Sequence, residues 1–140
     1  MVEVEHGLLD VRPRIGLFTL YARRQAVVFD SVTSVALSSA LDGLALRQRA
    51  IANNIANVNT PNYHANRVSF EDALAKSVAA GDGHAAATTA TSLEPTQLNG
   101  NNVNLDTETL SNVDTVLRFQ FAAQAAGSEF TAVRAAMRTN

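Results

Sequence analysis

The 140-residue chain has a net charge of −2, no cysteine, no tryptophan and an aromatic content of only 6%. One domain is the expectation at this length, and the scattered Lys and Arg residues leave no basic footprint for nucleic acid. The lack of cysteine excludes a disulfide framework and thiolate metal sites. Alanine, by far the commonest residue, favours helices and close helix approach but buries little area. The expected core is therefore a thin seam between helices that gains stability from neighbours.

Residues 1–28 read as an N-terminal extension. Residues 1–26 have no sustained hydrophobic period and are interrupted by Pro13, so they are expected to be disordered, or to be upstream sequence from a misplaced start codon. The apolar run Ile15 to Ala22 is far short of the roughly 20 residues of a spanning helix, so no direct membrane span is expected. Glu3, Glu5 and Asp10 precede it and Arg23 and Arg24 follow, which is the wrong charge order for a cleaved signal peptide.

The next unit is residues 29–63. Leu37, Leu41, Leu44, Gln48, Ile51, Ile55 and Val58 recur in steps of four and three, a heptad-like seam. Ala36, Ala40, Ala45 and Ala52 widen it for a partner helix. A helix from about Asp30 to Val58 would be roughly 43 Å long. It ends in Asn53, Asn54, Asn57 and Asn59, followed by Thr60, Pro61, Asn62 and Tyr63. Asparagine is a mediocre helix former whose amide competes for backbone hydrogen bonds. Pro61 removes a donor and pushes Thr60 to an extended conformation, so the helix must stop about there. A frayed, Asn-capped terminus explains one or two asparagines. A whole string of amides that both donate and accept suits a surface that pairs with copies of itself or near relatives.

Residues 64–104 form a variable middle. Tyr63 to Val68 reads as irregular or extended, and Ser69-Phe70-Glu71-Asp72 resembles a capping box opening a short helix with Phe70, Leu74 and Val78 on one face. Gly81-Asp82-Gly83 ends that helix. From Gly81 to Asn104 the composition is rich in Ala, Thr, Gly and Asn, and the stretch is expected to be too poor in apolar surface to order itself.

Asn104 or Asp106 is expected to cap a final helix over residues 105–140, with Asp106 and Glu108 favouring its positive end and Arg134 and Arg138 its negative end. Its stripe is Val116, Phe119, Ala123, Ala126, Phe130, Val133 and Met137. Leu110, Val113, Leu117 and Phe121 form a second apolar edge, broad enough for more than one neighbour. The predicted fold is all-α, with two long terminal helices forming an antiparallel coiled-coil-like pair around a flexible middle segment.

Chemistry-bearing patterns are weak. His6, His64 and His84 lie in different segments without ligand-spaced partners, and no nucleophile with a positioned base can be assembled. No catalytic, cofactor-binding or metal residue is expected, no cofactor is called for, and the chain reads as a non-enzyme. A coiled-coil adaptor or dimerisation module would explain the two helices but not the Asn-Thr-Pro string.

That string, Ile51 to Tyr63, resembles the N-terminal signature of bacterial flagellar rod and hook proteins, A-N-N-I/L-A-N-x-x-T-P-G-Y. The short chain, the Leu44-Ala45-Leu46-Arg47-Gln48-Arg49 approach and the Gly100 to Glu108 segment followed by Leu117-Arg118-Phe119-Gln120 are most similar to the proximal rod branch. The C-type sister branch carries a longer insertion at the T-P turn and an A-Y-E-A-N-like C-terminal signature that is absent here. Asn62 stands where the family usually has Gly, and Asn is the next-best residue for a left-handed turn.

The resemblance implies a structural subunit of the basal-body rod. Such subunits stack through their terminal helices into an axial, torque-transmitting tube, and are exported by the flagellar type III apparatus to lie outside the cytoplasmic membrane. The implied partners are copies of itself, other rod subunits, a basal-body adaptor and the membrane ring and export gate. Candidate subunit-interface residues are Leu44, Ile51, Asn53, Asn54, Ile55 and Asn57 on the first helix. Asn59, Thr60, Pro61 and Tyr63 in the turn, with Phe119 and Phe130 on the last helix, complete the set.

Overall fold

Two long helices bridged by a strand pair and one short helix make up the described residues. The structure, a computed structural model, describes the backbone of residues 15–138 and the side chains from Val32 onward, except Val133 and Ala136. The elements are α1 (Ile15–Ala56), β1 (Asn66–Ser69), α2 (Glu71–Ala79), β2 (Thr88–Thr91) and α3 (Leu105–Arg138).

Helix α1 has 42 residues and begins at Ile15, well before the expected start near Asp30. Between Pro13 and Pro61 the sequence holds no proline, so once a helix is nucleated nothing in that span must halt it. The part of the expected extension at residues 1–14 lies outside the described residues.

Helix α1 uses two faces. Leu44 and Ile51 of the expected seam are buried, while Leu37 and Leu41 are partly so. A second face, Gly43, Arg47, Ala50 and Asn54, follows the same helical spacing and receives the middle segment. Phe70 lies directly on Gly43, whose absent side chain makes the room: a Cβ there would fall 2.6 to 2.9 Å from the ring. The Arg47 guanidinium covers the Phe70 ring at 5.0 Å and pairs with Glu71 at 2.6 Å. Leu44, Ala50, Val68, Phe70 and Ala122 form the core, with Leu74, Ala87 and Phe119 packed around it.

The fold is mostly helical but not all-α. Strands β1 and β2 pair antiparallel, Asn66 opposite Thr91 and Ser69 opposite Thr88. The expected capping box is replaced by this pairing. Ser69 ends β1 and its hydroxyl meets that of Thr88 at 3.2 Å. The N-cap position of α2 is Phe70, without a side-chain cap bond. The segment expected to be too apolar-poor to order is instead held by hydrogen bonds: Asn101, Asn102 and Val103 are buried in it. Its order comes from satisfied polar groups, which an apolar tally does not register.

Asn104 caps α3, its Oδ1 accepting from the amides of Asp106 and Thr107 at 3.0 and 3.2 Å. Glu108 meets Asn54, while Ala122 shares the cluster of Leu44, so later residues of α3 meet earlier residues of α1. Among the described residues of α3 the buried positions are Glu108, Thr115 and Ala122, spaced by sevens. This face is rotated from the expected stripe. Phe119 and Ala126 are partly buried, but Ala123 is exposed, as are Phe130 and Met137. Two of the three buried residues are polar, and each is satisfied: Thr115 donates to the Ser111 carbonyl at 2.6 Å. Leu110, Val113, Leu117 and Phe121 stay in solvent.

Candidate assembly site at the asparagine turn

The α1 terminus unwinds through ordinary local bonds. The Asn57 amide donates to the Asn53 and Asn54 carbonyls, Thr60 N to Asn57 O at 2.9 Å, and Tyr63 N to Thr60 O at 3.3 Å. Pro61 has no donor to continue the helix. Asn62 takes φ 59°, the left-handed conformation expected of the family's usual Gly, and Asn tolerates it better than most residues.

The asparagines then separate by direction. Asn54 points inward and is fully buried. Its Oδ1 accepts from the Asn66 amide at 2.8 Å and from the Tyr63 hydroxyl at 3.2 Å. Its Nδ2 donates to the Asn66 carbonyl at 2.9 Å and to Glu108 Oε2 at 3.2 Å. Both ends of the amide are therefore engaged inside the chain. Asn57 is local: its Nδ2 donates to the Asn53 carbonyl at 2.8 Å and its Oδ1 accepts from Thr60 Oγ1 at 3.1 Å. Asn53, Asn59, Thr60, Pro61 and Asn62 are exposed. Of the other candidate residues, Leu44 and Ile51 are in the core, Phe119 packs against it, and Ile55 and Tyr63 are half-buried. Phe130 lies far along α3, 70% exposed, away from the turn.

Several residues that shape the site were not among the interface candidates read from the sequence. Glu108, with no exposed side chain, pairs with Arg67 at 2.7 Å, and Arg67 reaches Glu94 at 3.1 Å. Asn102 accepts from the Ala65 amide at 2.7 Å and donates to the carbonyls of Ser92 and Glu94, each at 3.1 Å. Asn101 donates to the carbonyls of Asn57 and Thr60. The available signal was the heptad spacing of Glu108, Thr115 and Ala122, masked by the polarity of the first two.

A cleft of about 160 Å³ between α1, β1 and α3 is lined by Arg47, Ile51, Arg67 and Asp114 among others. Its charges already pair: Arg47 with Glu71, Arg67 with Glu108, and Asp114 with Arg118 at 2.8 Å. Among the described residues no three His, Asp or Glu side chains stand together as a metal site, and no helix is long and apolar enough to cross a membrane.

The helix end and turn match a known family. Residues 36–64 fit the model of the flagella basal body rod protein family. That stretch is similar to the flagellar basal-body rod proteins. Over 38 residues the chain is 50% identical to the flagellar basal body rod protein FlgB of Bacillus subtilis, covering 27% of this chain and 30% of that protein. It is 53% identical over 36 residues to FlgB of Borreliella burgdorferi, 26% of this chain and 27% of the relative. The FlgB of Borrelia hermsii is likewise 53% identical over 38 residues, 27% of this chain and 28% of the relative. The matched stretch thus spans less than a third of these relatives. Proteins of this rod family are parts of the flagellar basal body. The matched residues coincide with the second half of α1 and the asparagine turn.

Proposed function

We propose that the chain is a structural, non-enzymatic subunit of the proximal part of the flagellar rod. The observation that carries this reading is the rod signature itself, over residues 36–64. The fold supports it. The signature turn is exposed yet held, and α3 turns Leu110, Val113, Leu117 and Phe121 away from the single chain. An apolar edge of this kind marks a surface for protein association. In the tube, α1 and α3 act as an antiparallel coiled-coil-like pair, their free edges contacting copies and other rod subunits. The outward candidates Asn53, Asn59, Thr60, Pro61 and Phe130 are contact residues, whereas Leu44, Ile51, Asn54 and Phe119 support the surface from within. The adaptor, membrane ring and export gate are the neighbours at the rod base, and torque passes along the assembled helices.

A tagged copy expressed in its host should cofractionate with purified basal bodies. A chain that is stably made, yet absent from them, would overturn the rod reading. Sedimentation over a concentration series should show weak polymerisation, and a discrete dimer would favour an adaptor.

A further inference from the structure

We propose that Asn101 is the positioning residue of the Thr60-Pro61-Asn62 turn, holding it in the shape in which that turn meets a neighbouring rod subunit. The proposal rests on the rod reading above. Asn101 stands 44 positions from Asn57 and 41 from Thr60, yet its Nδ2 donates to both their carbonyls, at 2.9 and 2.8 Å. Its Oδ1 accepts from the Val103 amide at 2.6 Å, which fixes the amide's orientation and leaves Nδ2 to face the turn. The side chain is wholly buried beneath residues that are themselves exposed. Alongside it, the Asn62 amide donates to the Asn99 carbonyl at 3.0 Å. Gly100, at φ 77°, lies against the Asn62 side chain so closely that a Cβ would collide with Oδ1.

The turn's local bonds join Thr60 to Asn57 and Tyr63 to Thr60, while the Asn62 amide and the Asn57 and Thr60 carbonyls are tied to the segment just before α3. A contact surface ordered in advance loses less freedom on association than one that must order at the interface. Asn101 supplies that order without touching the partner.

The test uses the full-length protein, reading amide exchange in the isolated chain and incorporation into basal bodies in the cell. With Asn101→Ala, exchange at Asn62 and Tyr63 should quicken about tenfold, as expected for the loss of a net hydrogen bond or two. Incorporation should fall at least about fivefold, while helix content and exchange within Leu44 to Ala50 stay at wild-type values. Wild-type incorporation by Asn101→Ala would overturn the proposal and leave the rod reading intact. Absence of the wild-type chain from basal bodies would instead overturn the rod reading.

If Asn101→Ala does not fold, Gly100→Ala decides, since it removes no buried hydrogen bond. It should displace Asn62 and reduce incorporation. Undiminished incorporation by Gly100→Ala would count against the proposal.

Discussion

Asn54 and Glu108, 54 positions apart, meet inside the protein with neither side chain exposed. Nδ2 of the amide lies 3.2 Å from the carboxylate, whose other oxygen holds Arg67 at 2.7 Å. The end of α1, the start of α3 and strand β1 are thereby joined through three polar side chains. Because each one is partnered, the network fixes their mutual placement. Any break in it leaves a buried polar group without a partner.

Asn54→Ala should therefore be far more damaging than its helix propensity implies. Ala is the better helix former by a few tenths of a kcal/mol. Against that, the Asn66 amide, the Asn66 carbonyl and Glu108 each lose a partner, at about 1–3 kcal/mol for each group left unsatisfied. Thermal unfolding should show a net loss of several kcal/mol. Asn53→Ala, on the exposed side of the same turn, should leave the melting temperature within about a degree or two, since surface changes stay within roughly 0.5 kcal/mol. Equal melting temperatures for the two variants would reverse the assignment of inward and outward asparagines.

Leu44→Ala tests the core. Leu44 is 4% exposed and shares a cluster with Val68, Phe70 and Ala122. A cavity there should cost about 2–5 kcal/mol, read as a shifted denaturant midpoint at constant slope. Leu117→Ala, on the exposed edge of α3, should barely move the midpoint of the isolated chain but should weaken its concentration-dependent association.

Gly43→Ala should destabilise the protein although it improves helix propensity by about 1 kcal/mol. The new Cβ would stand 2.6 to 2.9 Å from the Phe70 ring. Moving the ring would also disturb its contact with Arg47. The net loss should be about 1–3 kcal/mol, the usual range for overpacking. In a Phe70→Leu background Gly43→Ala should lose much of its cost, and a calorimetric double-mutant cycle would measure the coupling.

Glu71 gives the protein an acid-side dependence. Its side-chain hydrogen bond to Arg47 lowers the carboxyl from 4.5 to about 2, against an opposing push from burial. Because the folded-state value is depressed, the pair's contribution is fully present above about pH 4.5. It fades as pH falls toward 2 and the carboxylate takes up its proton. The side chain is 42% exposed, so solvent screening keeps the contribution modest. Glu71→Gln should flatten that part of the stability profile and leave the slope above pH 5 as it is.

Local physics read from the sequence determined the helix terminations, the family signature and part of the seam. Pro61 had to end α1 because it has no amide to give, and Asn62 could turn left-handed where Gly is usual. Asn104 was one of two candidate caps with Asp106, and Leu44 and Ile51 lay on a stripe that any partner helix would cover. The tertiary structure alone decided the direction of each asparagine, since only a meeting with Glu108 and Asn66 makes Asn54 an inner residue while its neighbour Asn53 remains outside. It also decided the face of α3. Hydrophobic periodicity treats Glu108 and Thr115 as solvent positions, but partners remote in sequence, or a carbonyl one turn back, let them be buried. The middle segment changed from an expected flexible excursion to ordered chain for the same reason. Its order comes from long-range hydrogen bonds by Asn101 and Asn102, whose donors and acceptors acquire partners only after the chain has folded.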